Sequence, residues 1–181
     1  MKDNKQTQSG TNGIQINGNN NNVNPQFINP RLTKSNIYRL LNIFFKEETE
    51  SKFKFDISKM PARINKKLIF NNAPKHKLIF ANHSITYGDF EETIHEFPDS
   101  QKIIQKLMDI FYKYAEVDSN GKLIVSNGDN ILFTMRDDIK KIIVNDKDFD
   151  PNIIADEQID DFVVAFLTYG VSECKVLVNP N

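Results

Sequence analysis

The sequence predicts a mainly α-helical fold: a compact helical domain of about five helices with short extended pieces, preceded by a low-complexity, asparagine-rich tail. Three observations predict it. Apolar residues recur at helical spacing in several separate segments, and the strand–helix alternation of a doubly wound sheet is missing. Residues 1–31, by contrast, are dominated by Asn, Gln, Gly, Ser and Thr and close on Pro25 and Pro30. The expected division is therefore a flexible tail over residues 1–31 and one domain over residues 32–181, long enough for a single sizeable core.

The first helix follows Thr33, where Ile37, Leu40, Leu41, Phe44 and Phe45 share a face and Thr33 or Ser35 is placed to cap it. "KFKFDISKMPARINKKLIFNN" opens by alternating lysine with phenylalanine and is interrupted by Pro61, so it predicts extended chain or short helical turns. "SITYGDFEETIHEF" predicts a helix with Ile85, Phe90, Ile94 and Phe97 on one face, stopped by Pro98. Asp99 or Ser100 then caps the strongest pattern, in which Ile103, Ile104, Leu107, Met108, Phe111 and Tyr114 line one side. "DSNGKLIVSNGDN" predicts a turn-rich connection. A helix starting near Asp129 turns Leu132, Met135, Ile139 and Ile142 inward, and a last one runs from about Asp156 to Gly170, read as its end signal.

Composition narrows the function. A net charge of −1 and a pI near 6.3 argue against a dedicated nucleic-acid binder, so contact with nucleic acid is expected only indirectly. The lone cysteine, Cys174, allows no internal disulfide, fits a reducing compartment and reads as a small buried residue. The start MKDNKQTQSG lacks a signal-peptide run, and no stretch approaches the roughly 20 apolar residues of a membrane span, which predicts a cytoplasmic protein with no membrane partner.

Candidate chemistry is sparse. His76, His83 and His95 have no metal-ligand spacing and read as surface or half-buried groups. The acids of "DEQIDDF", Asp156, Glu157, Asp160 and Asp161, open a helix where its dipole favours negative charge. Gly10, Gly13 and Gly18 precede no phosphate-binding helix, and the lysines of "RINKK" and "KHK" read as solvated groups flanking core phenylalanines Phe70 and Phe80. No catalytic residue, cofactor or metal is expected. The folded part should hold another protein.

The tail holds the strongest motif. In "GIQINGNNNNVN" an extended chain points Ile14 and Ile16 to one side and Gln15 to the other, a pattern that stacks of identical chains bury while Gln and Asn form amide ladders. Gly18 permits a bend and Val23 returns to the apolar side. Ile14, Gln15, Ile16, Gly18, Asn21 and Val23 together resemble the RIP homotypic interaction motif and its bacterial counterparts, with Asn17 as an extra residue before the glycine. That resemblance implies a functional amyloid.

A second resemblance rests on Met60, Pro61, Ile64, Lys67 and Asn71, then on Cys174 and Pro180. These residues look like the C-terminal domain of effector subunits in bacterial ABC-three-component, Lamassu-like conflict systems. The resemblance implies docking on a middle-component protein and an SMC-like ABC ATPase. The expected function is an antiphage-defence adaptor that clusters its tails, self-assembles and recruits a toxin with a matching motif. Two alternatives stand beside it: a small nuclease-like effector, and a purely structural partner of the ATPase.

Overall fold

From Phe162 to Val171 the chain is apolar but for Thr168, and a helix apolar on every side needs neighbours on every side. The computed structural model describes residues 31–46, 64–173 and 175–180 and supplies those neighbours. Helix α7 (Asp156–Ser172) buries twelve residues between Gln158 and Val171. Around it stand α1 (Lys34–Lys46), α2 (Ile64–Phe70), α3 (Pro74–Asn82), α4 (Ser84–Glu96), α5 (Ser100–Tyr114) and α6 (Gly128–Val144), each in contact with it. Phe166 sits at the centre, edge-on to Phe44 of α1 at 5.1 Å and stacked on Phe90 of α4 at 5.4 Å. Such pairs add about 0.5–1.5 kcal/mol each beyond the area they bury.

The mainly helical fold class is as expected, and α1, α4, α5, α6 and α7 fall on the five predicted segments. Two more helices, α2 and α3, occupy the stretch after Pro61, so the described residues hold seven. The turn-rich connection between α5 and α6 carries a small antiparallel hairpin, β1 (Glu116–Val117) with β2 (Leu123–Ile124), in which Glu116 faces Ile124. Asp118 closes its turn by accepting from the backbone N–H of Asn120 and Lys122, at 2.9 and 2.8 Å. Among the described residues no helix is long and apolar enough to cross a membrane.

Local signals were partly reassigned by packing. Thr33 caps α1, its hydroxyl accepting from the Asn36 N–H at 3.2 Å. Asp99 occupies the N-cap of α5, yet its carboxylate pairs with Lys102 at 2.9 Å and caps no amide. Ile85, expected on the buried face of α4, is 76% exposed, because it lies in the first turn, before the contact with α7 that Phe90 makes through Phe162, Phe166 and Tyr169. Gly170 does not end α7. The helix continues to Ser172, and a Cβ on Gly170 would meet Leu107 at 2.6 Å and Val176 at 2.9 Å, so this glycine lets α5 and the C-terminal segment press against the helix.

Candidate functional site

Of the residues singled out by the second resemblance, Ile64, Lys67, Asn71 and Pro180 are among those described, and Lys67 and Asn71 act where α2 meets the C-terminal segment. Helix α2 is only seven residues long and ends in a left-handed turn. Asn72 takes φ +54, its N–H donates to Ile69 O at 3.1 Å, and the Ala73 N–H donates to Leu68 O at 2.8 Å. Those two bonds make a Schellman ending, with asparagine at the left-handed position usually held by glycine. The turn leaves the Asn71 side chain directed inward, 1% exposed. Its amide nitrogen donates to Val178 O at 2.7 Å and to Lys67 O at 2.8 Å, while its oxygen accepts from the Val178 N–H at 2.9 Å. One side-chain amide thus pairs with a backbone unit in both directions, as a neighbouring strand would.

Lys67 works on the other end of that segment. It is fully buried, and its ammonium donates to Val171 O at 3.1 Å, in the last turn of α7 where carbonyls lack partners within the helix. The negative end of the helix dipole makes this a favourable place for a cation. Lys106 of α5 repeats the device: buried, 4.7 Å from the Phe44 ring centre, it donates to Phe44 O near the end of α1. Beyond α7 the chain reverses, with the N–H groups of Lys175 and Val176 donating to Gly170 O at 2.9 and 3.0 Å. Leu177 adopts φ +67, a costly conformation for a side-chain-bearing residue, and is held there buried.

Behind this clasp lies a buried pair that spacing along the chain does not reveal. Helix α3 begins Ala73-Pro74, and alanine has no oxygen with which to cap it. Asp129 of α6 caps it instead, one carboxylate oxygen accepting from the Lys75 N–H and the other from the His76 N–H, both at 3.0 Å. The latter oxygen also lies 2.7 Å from His76 Nδ1, which as the neutral tautomer donates to it. The close approach behind this arrangement needs Gly128, where a Cβ would stand 2.4 Å from the Asn71 carbonyl oxygen that accepts from the Gly128 N–H.

Burial pushes the His76 pKa below its ordinary 6.5, and the bond to Asp129 only partly offsets it. For Asp129, burial alone would raise the pKa, but the bonds from His76 and the two backbone amides outweigh it and hold the carboxyl below its ordinary value. A histidine with a depressed folded-state value contributes fully above the unfolded value of 6.5 and loses that contribution as pH falls below it. The Asp129 contribution disappears later, as pH drops through its depressed value. Urea midpoints should therefore fall on going from about pH 7 to about pH 5, and His76→Gln should flatten that slope and reduce the more acidic limb to the part that the Lys75 and residue-76 backbone amides support.

Three of the four acids of "DEQIDDF", Asp156, Asp160 and Asp161, have basic side chains as partners. Lys140 bridges Asp156 at 2.8 Å and Asp160 at 3.2 Å, Arg136 reaches Asp160 at 3.3 Å, and His83 meets Asp161 at 3.0 Å. The hydrogen bond to Asp156 chiefly raises the Lys140 pKa, with burial opposing it and Asp160 adding to the rise. Among the described residues no three His, Cys, Asp or Glu side chains gather as metal ligands would.

No family profile, no curated protein and no solved structure matches this chain. The site is therefore defined by its geometry.

Of the residues named from the sequence, the structure brings together Lys67 and Asn71, with Ile64 half-buried at the start of α2 and Pro180 half-buried just past the Val178 clip. Ile14, Gln15, Ile16, Gly18, Asn21, Val23, Met60, Pro61 and Cys174 lie outside the described residues. Two expectations about side chains are corrected. Lys67 is no solvated lysine, and Phe70 is no core residue, being 55% exposed while Phe80 is buried. His76 is neither surface nor half-buried, since it lies beneath Phe133 at 4.5 Å between ring centres. Sequence reasoning missed its partner Asp129 because 53 residues separate the two. The one available signal was negative: Ala-Pro at a helix start leaves a cap to be supplied from elsewhere.

Proposed function

We propose that this protein is a non-enzymatic adaptor of a bacterial antiphage-defence system. Its helical domain is the handle held by an SMC-like ABC ATPase and a middle-component protein, and its N-terminal segment is an amyloid-like signalling motif that recruits a toxin bearing a matching one. The observation that carries this reading is the pattern Ile14-Gln15-Ile16 followed by Gly18, Asn21 and Val23, low in charge and joined to a domain with its own core. Gathering several handles on one machine raises the local concentration of tails, to the order of millimolar for short linkers, and makes nucleation switch-like. The engagement of Asp156, Asp160 and Asp161 with Lys140, Arg136 and His83 adds support, since it gives the acids a structural part.

A genetic comparison tests the reading. In cells carrying the whole defence system, deleting residues 1–24 should abolish protection, whereas changing Asp156, Asp160 and Asp161 to asparagine should leave most of it. A nuclease-like effector would give the reverse pattern. A purely structural subunit would tolerate loss of the tail.

A further inference from the structure

A cavity of about 290 Å³ opens between the start of α3 and the start of α6. Small-ligand pockets begin at roughly this size, about 300 Å³, so it has room for one compact molecule and none for a partner helix. Its apolar lining is Pro74 and Phe133. Phe133 is exposed, and His76 backs its ring, with the two centres 4.5 Å apart. An accessible aromatic ring held in place by a buried neighbour suits a flat ligand.

The polar lining offers donors and acceptors together. Asp129 Oδ1 is taken up by the His76 N–H and Nδ1, whereas Oδ2 has accepted only the Lys75 N–H and can take another donor. The Asn127 oxygen accepts from the Asn130 N–H at 3.0 Å, which leaves its amide nitrogen to donate elsewhere. The Asn130 side chain and the Lys75 ammonium have no partner among the described residues. Asn72, in its left-handed turn, spends one N–H on Ser126 O at 3.3 Å and keeps its side-chain oxygen. Lys75 and Asp129 are the charged residues among those lining the cavity, and their opposite signs favour a neutral ligand over an ion.

We propose that this cavity binds a free nucleoside whose base carries an exocyclic amino group. The base lies on Phe133, its amino group donates to Asp129 Oδ2, and its ring nitrogens accept from the Asn127 and Asn130 amides. A nucleic-acid strand gains little over the single nucleoside, because Lys75 alone in the lining can meet a phosphate. A monosaccharide could use the same amides, but its puckered ring makes poorer contact with Phe133 than a flat base does. The proposal goes beyond the adaptor reading and does not depend on it. Asp129 also caps α3, so the bound base and the helix start share one carboxylate.

Calorimetric titration of the full chain with adenosine, guanosine, cytidine and uridine, beside glucose and N-acetylglucosamine, tests the proposal. At least one of the three amino-bearing nucleosides should bind saturably, and uridine about fivefold more weakly or worse. Phe133→Leu, which keeps an apolar side chain against His76, should weaken binding by about fivefold or more. Asn130→Ala should do the same, and it lies at an exposed position, so without ligand it should melt as the unaltered chain does. Hydrogen exchange at the Lys75 and His76 amides should slow when the nucleoside is bound. Five results would overturn the proposal: no saturable binding of any amino-bearing nucleoside, uridine bound as tightly as they are, a sugar bound more tightly, a single-stranded oligonucleotide bound more tightly, or an affinity unchanged in either variant.

Discussion

Replacing Asn71 with alanine is expected to lower the unfolding free energy by about 3 kcal/mol, far more than an asparagine on a helix surface is worth. The Val178 N–H and C=O lose their partners together, and Lys67 O loses its side-chain donor. Each polar group left unsatisfied costs about 1–3 kcal/mol when buried, and the half-buried position of Val178 tempers that through water. Urea denaturation of the full chain measures the effect, with exposed Asn65→Ala as the reference. Asn71→Asp discriminates further: it keeps the acceptor for the Val178 N–H but sets a carboxylate against two carbonyl oxygens, so it should cost at least as much as alanine. Hydrogen exchange at the Val178 amide should accelerate in Asn71→Ala. A loss no larger than that of Asn65→Ala would show that the clasp contributes nothing to stability.

The second large effect concerns signalling. Ile16→Asp is expected to remove amyloid-dye binding altogether from a peptide spanning residues 8–28, which in its unaltered form should bind dye after a lag. In-register stacking repeats every chain at about 4.8 Å, so each new carboxylate would face another at that distance. The repulsion is about 1 kcal/mol per neighbour even in bulk water and grows as the layer excludes solvent. Ile16→Val keeps the apolar, β-branched character and should retain the signal. Neither change should move the urea midpoint of the full chain, since the core described above lies within residues 32–177. Fibres from Ile16→Asp at the unaltered rate would refute the motif, as would an unaltered peptide that stays monomeric.

The helices legible in the sequence were those whose burial follows one stripe. Ile37, Leu40, Leu41 and Phe44 repeat with the helical period, and all four are buried in α1; Ile103, Leu107 and Phe111 do the same in α5. Helix α3 escaped because it has apolar residues on opposite sides, Phe80 inward and Leu78 outward, and because its cap is not beside it. The candidate site was legible only as residue names. Lys67 and Asn71 were singled out, but their tasks depend on Val171 and Val178, which are more than 100 residues away, and no local pattern encodes such pairings. Gly170 misled for a related reason: glycine near a helix end commonly marks the stop, whereas here it makes room for Leu107 and Val176.

The borrowed cap of α3 also orders events in time. A nine-residue helix without its own start signal is unstable in isolation, since the first turn is the expensive step and Ala73 does nothing to ease it. Asp129 can relieve that expense only after α6 has formed and come to rest beside Asn71 and Ala73. During refolding α3 must therefore follow α6, and substitutions on its buried side, such as Phe80→Leu, should quicken unfolding while scarcely slowing the forward rate.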